Sequence, residues 1–182
     1  FQAAWLAGFH NGRPATGLHD DIWARAIVFD KGETRVALVS VDLVGWFFDD
    51  VVRIREILAA DGVDIDQVIV TSTHNHEAPD TVGLWGRTAT SGGYDENYSA
   101  QVRAKSAQAI KDAIAGLEEV GSMAVGSVDV STYHPEKGTS NLVRDSRDPK
   151  IIDEMLSAAI FRNTAGEPIA TLSHFGNHPE AM

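Results

Sequence analysis

Hydrophobic and polar residues follow strand-like patterns in the first third of the chain. Two apolar runs rich in β-branched residues, Ala24 to Phe29 and Arg35 to Leu43, are joined by Asp30-Lys31-Gly32-Glu33. Glycine in such a short polar connection is typical of a hairpin. A third apolar run, Gln67 to Thr73, has the length of a strand. The pattern therefore predicts three strands before residue 74.

Two other segments carry apolar residues at helical spacing. From Asp49 to Ala60 these residues recur three or four positions apart, which predicts a helix. We expect Asp49 or Asp50 to cap its start and Gly62 to end it. A longer helix is predicted from about Glu96 to Leu117, after a loop rich in glycine.

Three more strands are predicted in the last third of the chain, over Met123–Tyr133, Leu156–Arg162 and Pro168–Phe175. Strands thus occur both in hairpins and in β-α-β order, which favours a layered α/β domain with a mixed β-sheet flanked by helices. The chain ends at Met182, directly after a histidine motif. We therefore expect residues 1–182 to be the N-terminal portion of a single, larger catalytic domain.

Composition narrows the classes of function. The net charge is −11, from 26 acidic and 15 basic residues, which argues against nucleic acid as a partner. The chain has no cysteine, which excludes disulfides and thiolate metal sites. No apolar stretch is long enough to span a bilayer, so no transmembrane segment is expected.

The first candidate functional residues lie at the end of the third predicted strand, in the sequence T-S-T-H-N-H-E-A-P-D. Alternate residues of an extended chain share a face, so His74 and His76 are expected to point the same way. Two imidazoles at a strand exit can form a metal site or a catalytic pair, although such a pair can also simply meet solvent.

A second group of histidines follows the last predicted strand. His174 and His178 lie at its end, and His178 is held extended because Pro179 follows it. Without thiolates, a hydrolytic histidine site most often holds Zn²⁺, which needs about three protein ligands and one open position. His74 and His178 supply two, and the sequence leaves open whether Glu77, Asp80, His174 or Glu180 adds another.

Two families with an H-x-H motif fit poorly. Metallo-β-lactamase-like hydrolases carry H-x-H-x-D-H, but Ala78 and Pro79 stand where that Asp and His would be. Amidohydrolase barrels place H-x-H at their first strand, whereas here it follows three predicted strands.

A third resemblance extends along the chain. The segment T-H-N-H-E-A-P from Thr73 resembles the T-H-T-H-S-G-P segment of neutral (alkaline, non-lysosomal) ceramidases. G-L-H-D-D-I-W-A-R-A from Gly17 resembles the family's G-I-H-x-x-x-W-A-R-A, and Val39 to Leu43 resembles the strand after it. N-H-P-E-A-M from Asn177 resembles H-P-x-S-M. The four segments keep their order.

The resemblance implies a zinc-dependent hydrolase that cleaves an amide (N-acyl) bond with metal-activated water. It implies His74 and His178 as zinc ligands, with a Glu and a Tyr beyond Met182 completing the site. His76 would contact the substrate or its oxyanion. Arg144, in Asn141 to Ser146, is the nearest match to the family's active-site Arg, and Arg147 competes with it.

The substrate and the setting stay open at this point. Glu77 stands where the ceramidases have a small neutral residue, so the small-molecule N-acyl substrate need not be a sphingolipid. Glu77 and Glu180 are candidates for a general base or for orienting an imidazole. A non-catalytic zinc-containing binding domain and a hydrolase of another N-acyl or ester substrate are the alternatives. The resemblance implies a secreted or periplasmic protein, and the cytoplasm stays open as the alternative.

Overall fold

The computed structural model describes residues 4–131, 148–149 and 151–178, and the chain divides into two compact units. The described residues of the first unit are 4–117, and the second unit is Glu118–His178. Neither helix in the described part of the chain is long and apolar enough to cross a membrane. Each unit contains one small sheet, and both helices belong to the first unit.

The first unit is built on a three-stranded mixed sheet. Strands β1 (Ala24–Asp30) and β2 (Arg35–Val41) form the predicted antiparallel hairpin, whose turn contains Gly32 at φ 74°. Strand β3 (Gln67–Ser72) pairs in parallel with the other edge of β2. The parallel pairing brings the carboxyl ends of β2 and β3 to the same edge of the sheet, which is where polar residues follow.

Two helices pack with this sheet. Helix α1 (Phe48–Ala60) connects β2 to β3, and helix α2 (Glu96–Ala115) contacts α1 and the sheet. The apolar core that they share includes Val39, Ile54, Leu58 and Ile110, each with no exposed surface. Burying one such side chain contributes about 1.5–3 kcal/mol, so this core holds both helices on the sheet.

The start of α1 differs from the sequence expectation. Neither Asp49 nor Asp50 is the cap: the N-cap is Phe47, which makes no side-chain capping hydrogen bond. Asp50 instead lies buried in the first turn and accepts a hydrogen bond from Arg103. Helix α2 does have an acidic cap, because Asp95 accepts hydrogen bonds from the backbone N–H groups of Asn97 and Tyr98.

The second unit is an antiparallel sheet in the order β4-β5-β6. Its strands are β4 (Val120–Asp129), β5 (Met155–Asn163) and β6 (Pro168–His174). The predicted strand from Met123 starts three residues earlier and ends at Asp129. The described residues form one mixed sheet, one antiparallel sheet and two helices, which confirms the α/β fold class.

Candidate metal centre

His74 lies just beyond β3 in an uncommon backbone conformation. The strand ends at Ser72, and the chain continues along the exit of β2 through a hydrogen bond from the N–H of Asn75 to the carbonyl of Leu43. At His74 itself φ is 62°, in the left-handed region. A non-glycine residue held there costs about 1–3 kcal/mol, and such residues concentrate at functional sites.

A hydrogen bond fixes the ring of His74. Its Nδ1 lies 2.5 Å from the carbonyl oxygen of Val44, in the segment that leaves β2. A carbonyl oxygen can only accept, so Nδ1 carries the proton and the lone pair of the neutral ring is at Nε2. Metal-ligating histidines commonly show this arrangement, with the second ring nitrogen bound to a carbonyl or carboxylate.

His76 is brought beside His74, with the ring centroids 4.8 Å apart and the planes at 74°. It is buried, with 4% of its surface exposed. The prediction that the two rings converge is therefore confirmed, but the expected reason is wrong. The strand has already ended, and the left-handed turn at His74, rather than extended alternation, sets the relative orientation of the rings.

An N-terminal segment covers His76. Leu6 forms an isolated bridge with Pro79, and the N–H of Ala7 donates to the carbonyl of Ala78 at 3.0 Å. This pairing places the ring of Phe9 edge-on against His76, with centroids 5.1 Å apart. The first unit thus shields one side of the histidine pair with residues that lie more than sixty positions away in sequence.

The carboxylates near the pair have other structural roles. Both oxygens of Glu77 accept from Arg13, each at 2.7 Å. Asp80 is buried, and its oxygens accept four hydrogen bonds from backbone N–H groups of the following loop, those of Val82, Gly83, Trp85 and Gly93. Asp80 therefore organises the loop, which weighs against its being a metal ligand.

The remaining candidates belong to the second unit or lie outside the described residues. His174 is the last residue of β6 and is exposed, and His178 is an exposed residue four positions further on. Arg144, with its neighbours 141–146, Arg147, and Glu180 are outside the described part of the chain.

Within the first unit, His74 and His76 supply two neighbouring imidazoles that could bind a metal ion. Imidazole donors suit zinc but also other divalent metals, so the donor set does not identify the metal.

Comparison with known families places the chain. The family described as "Neutral/alkaline non-lysosomal ceramidase, N-terminal" matches residues 4–182. The chain belongs to the neutral/alkaline ceramidase family. The resemblance of the four sequence segments is thereby confirmed.

Solved ceramidase structures share the fold. Neutral ceramidase from Pseudomonas aeruginosa superposes with a TM-score of 0.70 at 22% identity, over 94% of this chain and 29% of that one. A structure described as ceramidase complexed with C2 gives a TM-score of 0.69, also at 22% identity, over 94% and 28%. The chain thus spans less than a third of these ceramidases. No curated protein matches the chain significantly.

Sequence patterns missed the residues that cover His76, namely Gly8, Phe9 and Arg13. The only local indication of these contacts was the negative charge of Glu77, because a carboxylate beside a buried ring is expected to have a cationic partner. Nothing in the sequence shows which of the 15 basic residues provides it.

Proposed function

We propose that the chain carries part of the active site of a zinc-dependent hydrolase that cleaves an amide (N-acyl) bond. The observation that carries the proposal is the fixed ring of His74, whose Nδ1 donates to Val44 at the exit of the mixed sheet. Membership of the ceramidase family supports the reaction type and an acyl-amide substrate of lipid character.

In this proposal His74 and His178 hold the zinc ion, and the remaining ligands come from outside residues 1–182. The neutral imidazoles fit zinc because nitrogen is one of its preferred donors. Zinc supplies Lewis acidity, which activates water and polarises a carbonyl group.

His76 is assigned to stabilise the oxyanion of the reaction rather than to bind the metal. It lies against His74 but is buried under Phe9, so it can present a ring N–H to one side of the bound acyl group. As water attacks the acyl carbon, the carbonyl oxygen gains negative charge, and a donor fixed before the reaction stabilises that charge. Arg144, assigned from the family resemblance, would share this task.

Glu77 is not assigned as the general base. Both of its oxygens already accept from Arg13, whose side chain is only 16% exposed. Breaking that ion pair would leave the guanidinium without its counter-ion. The proton that reaches the departing amine must therefore be handled by another group of the complete site.

The test is hydrolysis of a ceramide by the full-length protein, before and after removal of metal by a chelator. We expect cleavage of the amide to stop on chelation and to return when zinc is restored. An acyl ester with the same chains serves as the comparison substrate. Zinc-loaded protein that cleaves the ester but no amide would overturn the amide assignment, and activity unaffected by chelation would overturn the metal-dependent reaction.

A further inference from the structure

Arg13 joins the N-terminal segment to the histidine pair. One guanidinium nitrogen donates to the carbonyl of Ala7 at 3.2 Å and to that of His76 at 3.3 Å. The other lies 2.7 Å from both carboxylate oxygens of Glu77. Four acceptor oxygens on two separate segments are thus bound by a single side chain, and its burial strengthens these charge-assisted contacts.

The same guanidinium also supports the ring that covers His76. Its Cζ lies 4.8 Å from the centroid of Phe9, within cation–π distance. Phe9 in turn meets His76 edge-on at 5.1 Å. Arg13, Phe9 and His76 therefore form a continuous series of contacts, and a change at Arg13 reaches His76 through Phe9 as well as through the backbone carbonyl.

The backbone next to Phe9 leaves His76 little space. Gly8 has φ 105°, and a Cβ built there would lie 2.3 Å from Cγ of His76. The imidazole is thus enclosed by the Gly8 backbone on one side and meets the Phe9 ring on another. Such enclosure keeps the ring in one rotamer only while the N-terminal segment stays in place.

Glu77 explains why an arginine is needed here. The ceramidase segment resembling residues 73–79 has serine at the position of Glu77, so this chain carries an extra negative charge directly after His76. Arg13 neutralises this charge through one guanidinium nitrogen that contacts both carboxylate oxygens, so the carboxylate is already bound. A lysine would match the charge, but its single nitrogen could not replace two guanidinium nitrogens, one on the carboxylate and one on the two carbonyls.

From these contacts we infer that Arg13 is a positioning residue for His76, acting with Glu77 as one unit. The inference rests on the proposed function, since it assigns a task to His76 in hydrolysis. It predicts that loss of Arg13 misplaces the imidazole without removing substrate-binding surface, so the effect falls on kcat rather than KM.

The experiment compares Arg13→Gln, Arg13→Lys and Glu77→Gln in the full-length protein. The matched control is Arg35→Gln, which removes another arginine bound to a carboxylate (Asp30) and to a carbonyl (Asp64), at the opposite end of the sheet. We expect Arg13→Gln to lower kcat about 10- to 100-fold with KM unchanged, because misplacing a catalytic group by about 1 Å can cost about 10²-fold in rate. Arg13→Lys should recover only part of that loss, and Arg35→Gln should match the wild type.

Two further quantities are measured in the same variants. One is the zinc affinity, from competition with a chromophoric chelator, and the other is the amide hydrogen exchange of residues 5–14 in the metal-free protein. We expect Arg13→Gln to speed exchange in this segment, and the double variant Arg13→Gln/Glu77→Gln to be no worse than Arg13→Gln alone. Wild-type kcat and wild-type exchange in Arg13→Gln would overturn the inference. If the wild-type protein neither binds zinc nor cleaves amides, the proposed function fails, and the exchange data alone decide whether Arg13 holds the segment.

Discussion

Arg103 of helix α2 donates to Oδ1 of Asp50 on helix α1 at 2.7 Å, and both side chains are at least nine-tenths buried. Arg103 also donates to Glu96, at the start of α2. The pair ties the first turn of one helix to the middle of the other. Removing one partner of such a pair leaves an uncompensated charge in the interior, which is far costlier than losing a surface ion pair.

We therefore predict that Arg103→Met lowers the free energy of unfolding by about 3–5 kcal/mol. Arg53→Met is the control, because Arg53 is exposed and only 3.8 Å from Glu56, a type of pair that contributes about 0–1 kcal/mol. Urea denaturation of both variants gives the comparison. Equal losses would show that the buried pair has no special role.

Glu96 adds a pH dependence to the same contact. The hydroxyl of Tyr94 and, next, the guanidinium of Arg103 lower the pKa of Glu96 below its ordinary value of 4.5. A carboxylate whose pKa is lower in the folded than in the unfolded state stabilises the fold at pH values above its unfolded-state pKa. That contribution is lost as the pH falls through the folded-state pKa. Tyr94→Phe should therefore flatten the loss of unfolding free energy below pH 4.5, and Glu96→Gln should flatten it further. Unchanged slopes in both variants would contradict this origin.

Gly8→Ala tests the enclosure of His76. The new Cβ would clash with the imidazole and sit at a positive φ, so we expect a loss of about 1–3 kcal/mol of stability together with reduced hydrolysis. Gly32→Ala is the matched control, because Gly32 also has a positive φ, 74°, but nothing within 4 Å of the added carbon. It should show the conformational cost with full activity. If both variants keep full activity, His76 is not held by this contact.

His76→Ala separates the reaction role from metal binding. If the ring donates to the oxyanion, the variant should keep its zinc and lose about 10²- to 10³-fold in kcat, equivalent to about 2.7–4 kcal/mol. Metal content and steady-state kinetics are measured on the same preparation. Loss of zinc in this variant would make His76 a metal ligand instead.

The elements set by local sequence were predictable, and the details set by distant contacts were not. The β1–β2 hairpin follows from its turn, where Gly32 supplies the positive φ. The cap of α1 was mispredicted because the carboxylate of Asp50 is taken by Arg103, 53 residues away. Trp23 is 54% exposed and lies under the guanidinium of Arg25, although tryptophan side chains are on average highly buried.

The same division applies to the candidate site. Two histidines one residue apart could be expected to meet, and His74 and His76 do. The left-handed turn at His74 and the hydrogen bond to Val44 depend on how β2 and β3 end side by side. The contact of Arg13 with Glu77 spans 64 positions and has no local pattern that announces it.

In the proposed site, a zinc ion is bound through His74 and His178. The most direct test of this binding is elemental analysis of wild type, His74→Ala, His178→Ala and the control His10→Ala. Each protein is first stripped of metal with a chelator, reloaded with zinc and desalted. His10 is exposed, and its ring contacts the neighbouring carbonyl of Asn11. We predict about one equivalent of zinc in wild type and His10→Ala, and its loss in the other two variants. Full zinc occupancy in both His74→Ala and His178→Ala would contradict the account.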